Sequence, residues 1–233
     1  MTVSASPAQV TAQVDALYAR HGPLAPALPG PDPTPWLNRL PDALLYFWQQ
    51  YGLGTWQDGR MHIIDPALAA PLVDFLFAGD ADFEGDTHAI AIGAFGQMTL
   101  WSQRHGLVDL NTMMTAIEAP YLIDPGLAPP PDMQIVEGLL DMPAIMTDAY
   151  DEEGQPLFDR VRALLGPLAP PMIYASTPAP PRVADLAPDN FVLADAREWI
   201  EAVLGESSIT LVAWRRDPPD LRLIGAPWPP GQP

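Results

Sequence analysis

The chain has 233 residues, and its 29 acidic residues against 11 basic ones give a net charge of −18 at pH 7. Such a body repels the phosphates of nucleic acids, so the composition argues against direct nucleic-acid binding and favours a cationic protein partner. The absence of cysteine excludes disulfides and thiolate catalysis, and no apolar run approaches the ~20 residues of a membrane helix, so we expect a cytoplasmic protein.

The first half of the chain predicts three helices. Ser6-Pro7 and Asp65-Pro66 each supply a side-chain cap followed by a proline that is favoured in the first helical turn. The middle helix has almost no polar face, which is typical of a buried helix, and a proline-rich connector, residues 23–35, precedes it. Apolar residues at helical spacing place the helices at residues 7–20, 41–51 and 65–77.

Four short runs predict strands, and the last three of them form an antiparallel meander. The Phe95-Gly96 step suits a hairpin turn within this meander. A loop with four carboxylates, residues 79–86, precedes it. The strands are expected at residues 60–64, 88–94, 97–102 and 106–111.

Residues 119–131 are rich in proline and lack periodicity, so they mark the expected boundary between a domain at residues 1–125 and a C-terminal region at residues 132–233. The predicted fold class is α+β: a small antiparallel sheet with packed helices, followed by a second, smaller α+β region. In this second region we expect helices at residues 132–147, 155–165 and 195–204, a strand at 172–176, and a terminal hairpin from 208–214 and 221–224.

The chemistry-bearing residues form no familiar catalytic pattern. The four histidines lack the spacings of a helix-borne zinc site, and the chain has no nucleophile elbow, Walker loop or dinucleotide-binding glycine pattern. We therefore predict no metal, no cofactor and no enzymatic activity. The alternative is a small-ligand-binding or hydrolytic enzyme with a pocket between the two halves that uses His62 or His105. An oligomeric scaffold is a third interpretation.

Two acidic clusters and one tryptophan are the candidate partner-binding residues. Either cluster could instead be a solvated loop or an adventitious cation site, but the first departs from the EF-hand pattern. Trp56 follows a glycine turn, where a half-exposed ring could anchor a partner, and packing in the core is the alternative for it. Trp48 and Trp101 are expected in the core. The candidate carboxylates are Asp80, Asp82, Glu84, Asp86, Asp148, Asp151, Glu152 and Glu153.

Residues 40–66 carry a family resemblance. They resemble the GAD-like domain family, which has a Leu-Pro helix, a tryptophan, a Tyr-Gly-Leu/Phe-Gly turn, and an Asp-Gly step before a strand and an Asn/Asp-Pro helix start. The matching positions here are Leu40-Pro41, Trp48, Tyr51-Gly52-Leu53-Gly54, Asp58-Gly59 and Asp65-Pro66. The later Ala94-Phe95-Gly96 and Leu100-Trp101 are similar to the family's second signature. This resemblance extends over roughly residues 5–125.

The C-terminal region is similar to the one that follows a GAD-like domain in bacterial type VI secretion immunity proteins. Leu157-Phe158-Asp159 and Leu165-Gly166-Pro167-Leu168 match that pattern, whereas residues 170–180 depart from it. The layout also resembles the broader SUKH-type immunity proteins. The resemblance implies a cytoplasmic protein that binds and silences a cognate toxin, which is a DNase in the better-known members. We expect the two acidic clusters and Trp56 to make that contact.

Overall fold

The computed structural model describes residues 6–180, 182, 185–214 and 218–229. The helices among them are α1 (Pro7–His21), α2 (Asp42–Tyr51), α3 (Pro66–Leu76), α4 (Pro131–Ile135), α5 (Ala144–Thr147), α6 (Phe158–Leu165) and α7 (Ala196–Glu206). The strands are β1 (Ala25–Leu28), β2 (Leu53–Trp56), β3 (Met61–Ile63), β4 (Thr87–Gly93), β5 (Met98–Ser102), β6 (Gly106–Asn111), β7 (Ala116–Glu118), β8 (Met172–Ser176), β9 (Phe191–Asp195), β10 (Thr210–Ala213) and β11 (Asp220–Leu223).

Local capping chemistry sets the starts of the early helices. In α1 the Gln9 backbone N–H donates to the Ser6 hydroxyl, and the Ser6 backbone N–H donates to the Gln9 side chain at 2.7 Å. In α3 the Asp65 carboxylate accepts from the Ala67 backbone N–H at 3.0 Å. Both predicted helix starts are confirmed.

The strands form one large sheet and one small one. The large sheet has the order β1-β2-β3-β4-β5-β6-β7-β10-β11, and β8 pairs with β9 in a second, two-stranded sheet. The pairing of β10 with β7 is parallel, and the other pairings in the large sheet are antiparallel. The α+β class is confirmed, but the sheet is larger than expected because strands after residue 200 join its edge.

The two faces of the large sheet are covered by different helices. One face packs against α1, α2 and a π-helical turn, Val136–Leu140, and the opposite face packs against α3 and α7. Alternate residues of one strand point to opposite faces, as Trp101 and Leu100 do here. Both cores combine residues from before and after the proline-rich segment 119–131, so the sheet and its cores extend across that segment.

Two stretches of the chain differ from their predicted form. The expected helix at 132–147 is divided into α4, the π-helical turn and α5, with Pro143 at the break, because the residue before a proline disfavours helical geometry. Four short strands, β1, β2, β7 and β9, were not predicted, since strands of three to five residues leave little periodic signal. None of the described helices is both long and apolar enough to cross a membrane.

Candidate functional site

The first predicted acidic cluster turns inward to an arginine of β11. Arg222 donates to Asp80 at 2.6 and 3.0 Å and to Asp82 at 2.6 Å. The Asp80 side chain is completely buried, and that of Arg222 is 3% exposed. Burial pushes the pKa of Asp80 up, but the hydrogen bonds from Arg222 and the Gly225 backbone outweigh it and hold that pKa below its usual range. These two carboxylates brace the C-terminal hairpin against the loop.

The other two carboxylates of this loop also form hydrogen bonds within the chain. Asp86 pairs with Arg104, whose Nε donates at 2.8 Å. Burial raises the pKa of Asp86, but hydrogen bonds and charge from Arg104 outweigh it and leave the pKa below its usual value. Glu84 is exposed, and its carboxylate accepts from the Gly79 backbone N–H at 3.1 Å. The expected anionic surface at residues 80–86 is therefore largely neutralised from within.

The second cluster is divided between a structural brace and an exposed turn. Asp148 pairs with Arg60 at 2.9 Å, and its other oxygen accepts from the backbone N–H groups that begin α6. Asp151 pairs with Arg160. The side chains of Asp148 and Asp151 are 5% and 7% exposed. Glu152 and Glu153 are exposed in a turn, so a contact with a partner stays a prediction for these two and for Glu84.

The interpretation of Trp56 as a half-exposed residue is wrong. Trp56 lies on β2 beneath α1 and α2 and is only 1% exposed. Its indole N–H donates to the Leu140 carbonyl at 3.1 Å, and its ring packs against Tyr18 and Phe47. Since a buried side chain cannot touch a partner in this conformation, Trp56 acts by positioning the segment around Leu140.

The two histidines considered as possible catalytic residues lie within hydrogen-bond distance of backbone carbonyl groups. The ring Nε2 of His62 lies 2.8 Å from the Met172 carbonyl, and burial lowers the pKa of this ring. The ring Nε2 of His105 lies 3.1 Å from the Asp82 carbonyl. Within the described residues, no three histidine or carboxylate side chains form a group that could hold a metal ion. Trp48 and Trp101 are buried as predicted.

A groove that sequence reasoning missed lies where the helices leave one sheet face uncovered. It consists of three adjoining cavities of about 320, 230 and 190 Å³. Asp109, Met142 and Met146 line both the first and the second cavity. The second and third cavities also share lining residues, so the three form one continuous groove along β5, β6 and β7.

Methionine is the commonest residue type in the lining of this groove. Seven of the chain's nine methionines line one or more of the three cavities. Two of them, Met114 and Met146, are 71% and 70% exposed. Methionine side chains are flexible and polarizable, so such a wall can adapt to a ligand surface. Met98 is 1% exposed and packs in the core on the opposite face of the sheet, so its side chain is not part of the wall. The methionine groove is defined by Met61, Met113, Met114, Met133, Met142 and Met146.

Two carboxylates lie side by side on the floor of the methionine groove. In the sheet register, Asp109 of β6 is directly opposite Thr99 of β5 and Glu118 of β7. The Thr99 hydroxyl donates to Asp109 at 3.0 Å. Burial, and secondarily the charge of Glu118, raise the pKa of Asp109 to about 6 against the lowering effect of the Thr99 hydrogen bond. No arginine of the described chain lines any of the three cavities.

The residues on either side of the π-helical turn are held to β6 and to the turn after β2 by hydrogen bonds. The Leu107 backbone N–H donates to the Gln134 side chain at 3.0 Å, and the Gln57 side chain donates to the Met142 carbonyl at 3.0 Å. A Cβ added at Gly138 would lie 2.5 Å from a methyl group of Leu107, so glycine allows this close approach. π-helical turns are frequent at functional sites.

Few features of the sequence predict this groove. Asp109 lies in an apolar strand and Glu118 in a three-residue strand, and they become neighbours only through the sheet register. The methionines are scattered from residue 61 to residue 146, and the Met113-Met114 pair is the one local concentration among them. The usable signal was the acidic residue within a buried meander strand, since an unpaired charge there calls for an explanation.

Comparison with known proteins confirms part of the family resemblance. Residues 30–114 match the family model of the GAD-like domain. No curated protein sequence matches the chain. The crystal structure of Atu4351 from Agrobacterium tumefaciens is similar, with a TM-score of 0.83 and 23% sequence identity over 91% of this chain and 98% of that chain. At this identity the likeness shows the fold alone.

Proposed function

We propose that this chain is an immunity protein that binds a cognate bacterial toxin and neutralises it. The observation that carries the proposal is the methionine groove, an open apolar cleft with two adjacent carboxylates that no arginine of the described chain neutralises. The GAD-like match at residues 30–114 supports it, because the C-terminal region resembles the one that follows a GAD-like domain in type VI secretion immunity proteins. Under this proposal the protein acts in the cytoplasm and is not an enzyme.

The groove suits a protein ligand. Flexible thioethers repack against partners of different shape, which is why methionine-rich surfaces occur at adaptable interfaces. The net charge of −18 speeds the approach of a cationic partner, while apolar contacts slow its release. A nuclease fits these requirements, because its active site is lined by basic side chains that hold phosphate. We therefore propose a nuclease, as the resemblance implies, for the toxin class.

Co-expression with the protein encoded beside this gene tests the proposal. We expect the wild-type chain to restore growth of cells that produce this neighbouring protein, and the two purified proteins to bind in a calorimetric titration. Met146→Glu places a charge in the groove and should weaken binding at least tenfold, since a buried unpaired charge costs several kcal/mol.

A matched control variant lies on the other face of the sheet. Leu68 on α3 is 70% exposed, as is Met146, so Leu68→Glu makes a similar change outside the groove. This variant should bind and protect like the wild type. Failure of the wild-type chain to protect or bind would overturn the proposed function, and equal effects of the two variants would remove the groove from it.

One observation supports a second candidate function, that of an enzyme or a small-ligand-binding protein. Asp109 lies in a cavity with its pKa raised to about 6, which is a property of general acids and bases in enzymes. A hydrolytic or small-ligand-binding role would therefore use Asp109 and Glu118 rather than His62 or His105. A screen of ester, phosphoester and glycoside substrates tests this alternative, and turnover that persists in Asp109→Asn would exclude it.

A further inference from the structure

We propose that Asp109 and Glu118 together receive one cationic side chain, an arginine or a lysine, from a segment of the protein partner whose flanking apolar residues pack against the methionine groove. This inference deepens the proposed function, because it names the chemistry of the partner at that site. It rests on the juxtaposition of the two carboxylates and on the apolar walls around them.

The sheet register brings the two carboxylates within reach of a single cation. Asp109 and Glu118 are directly opposite each other on antiparallel strands, so their Cβ atoms are about 4.5–5.5 Å apart. Like charges in this position destabilise a sheet when nothing lies between them. A guanidinium or ammonium group between the two would convert the repulsion into two charge-assisted hydrogen bonds.

The chain contains its own example of this arrangement. Arg222 bridges Asp80 and Asp82 with contacts of 2.6 Å to each carboxylate. An internal arginine thus satisfies one close pair of carboxylates in the described chain. At the other pair, Asp109 has a hydroxyl donor and Glu118 has the Trp214 indole N–H at 3.4 Å, and neither has an ion-pair partner within the described residues.

The surroundings of the pair favour a side chain with apolar neighbours over a free ion. The groove extends through three adjoining cavities, far beyond the size of a single ion, and methionine, proline and leucine are the main apolar residues of its lining. The other ionisable groups that line the first two cavities are Glu137 and Tyr121, so no positive charge opposes the incoming cation. Thr99, Gln97 and Asn111 supply polar contacts on the floor.

Synthetic peptides and methionine-methyl NMR test the proposal. The probe is a short acetylated peptide with one arginine between leucine residues, and its control carries citrulline, which is neutral and nearly isosteric, in place of that arginine. The full-length protein is labelled at its methionine ε-methyl groups. Met172 of β8 lines none of the three cavities and provides an internal reference signal.

We expect the arginine peptide to shift groove methyl signals and leave that of Met172 unchanged. It should bind at least tenfold more tightly than the citrulline peptide, since hydrogen bonds between charged groups are stronger than those of a neutral donor. The double variant Asp109→Asn/Glu118→Gln should lose this preference. Glu198→Gln/Glu206→Gln, which removes two exposed charges from α7 on the opposite face, should retain it.

Several results would overturn the inference. These are the absence of groove shifts with the arginine peptide, equal affinity for both peptides, or a preference that survives in the Asp109→Asn/Glu118→Gln variant. Magnesium or calcium ions that shift the groove signals and block the peptide would assign the carboxylates to a metal instead. The toxin experiment distinguishes this inference from the proposed function. If the Asp109→Asn/Glu118→Gln variant still protects cells fully and binds the toxin with unchanged affinity, this inference is refuted and the proposed function is not.

Discussion

Replacing Asp80 by alanine tests whether the acidic loop is a structural brace. The Asp80 carboxylate is completely buried and accepts four hydrogen bonds, two from Arg222 and one each from the Gly225 and Asp82 backbone N–H groups. Removing one member of a buried ion pair typically costs about 3–5 kcal/mol. Asp82 still holds Arg222 at 2.6 Å, so we expect the lower end, about 3 kcal/mol, and a melting temperature lower by roughly 6–12 °C for a chain of this size.

Urea denaturation and thermal melting measure this loss, with Glu152→Ala as the control. Glu152 is exposed, so its replacement should change the free energy of unfolding by less than about 0.5 kcal/mol. The double variant Asp80→Ala/Arg222→Met should recover part of the loss, because it leaves no fully buried unpaired charge: Asp82, the other partner of Arg222, is 30% exposed to water. A loss below about 1 kcal/mol in Asp80→Ala, or no recovery in the double variant, would refute the brace.

The ion pair between Asp80 and Arg222 should make the stability of the protein depend on pH. Hydrogen bonds and charge from Arg222 hold the pKa of Asp80 below its usual range despite burial. The folded pKa is thus lower than the unfolded one, so the contribution to stability is present above about pH 4 and is lost as the pH falls through the folded pKa. Asp80→Ala should lie closest to the wild type in stability under acid conditions.

Two further predictions concern the groove. Gly138→Ala should destabilise the protein by about 1–3 kcal/mol in urea, because the new methyl meets Leu107, whereas Gly205→Ala on α7 meets no atom within 4 Å and should cost nothing. Burial raises the pKa of Asp109 to about 6, so its contribution to stability is present below about pH 4 and is lost as the pH rises through 6. The free energy of unfolding of the wild type minus that of Asp109→Asn should therefore fall between about pH 4 and pH 6 and level off above it. The subtraction removes the opposite effect of His88, whose pKa burial and the charge of Arg39 lower to about 4.

The elements that the sequence predicted well are those whose causes are local. The capping box at Ser6 and the Asp65-Pro66 start depend on residues within one helical turn, and both helices begin where expected. The three strands of the meander follow each other through short turns, so their pairing needs no distant information. Local capping chemistry and the adjacency of consecutive strands were therefore sufficient to predict the α+β class and the antiparallel meander.

The parts that could not be predicted depend on partners far along the chain. The parallel pairing of β7 with β10 joins segments that no local pattern relates, and it extends the sheet past the expected domain boundary. The inward turn of the acidic loop depends on Arg222, which lies 142 positions after Asp80. A carboxylate cluster looks the same in sequence whether solvent or a distant arginine faces it.

The distribution of arginine explains why the groove, rather than the acidic loops, is the better candidate surface. The chain has 29 acidic residues and 11 basic ones, so its arginines can neutralise only a minority of its carboxylates. Arg222, Arg104 and Arg60 all face carboxylates of the two acidic clusters, where the pairs brace loops and a helix start. The uncompensated charge then supplies a long-range field, whereas tight capture needs a place where charge and apolar surface meet. Within the described residues, the carboxylates of β6 and β7 meet that requirement, because methionines surround them and no arginine lines their cavities.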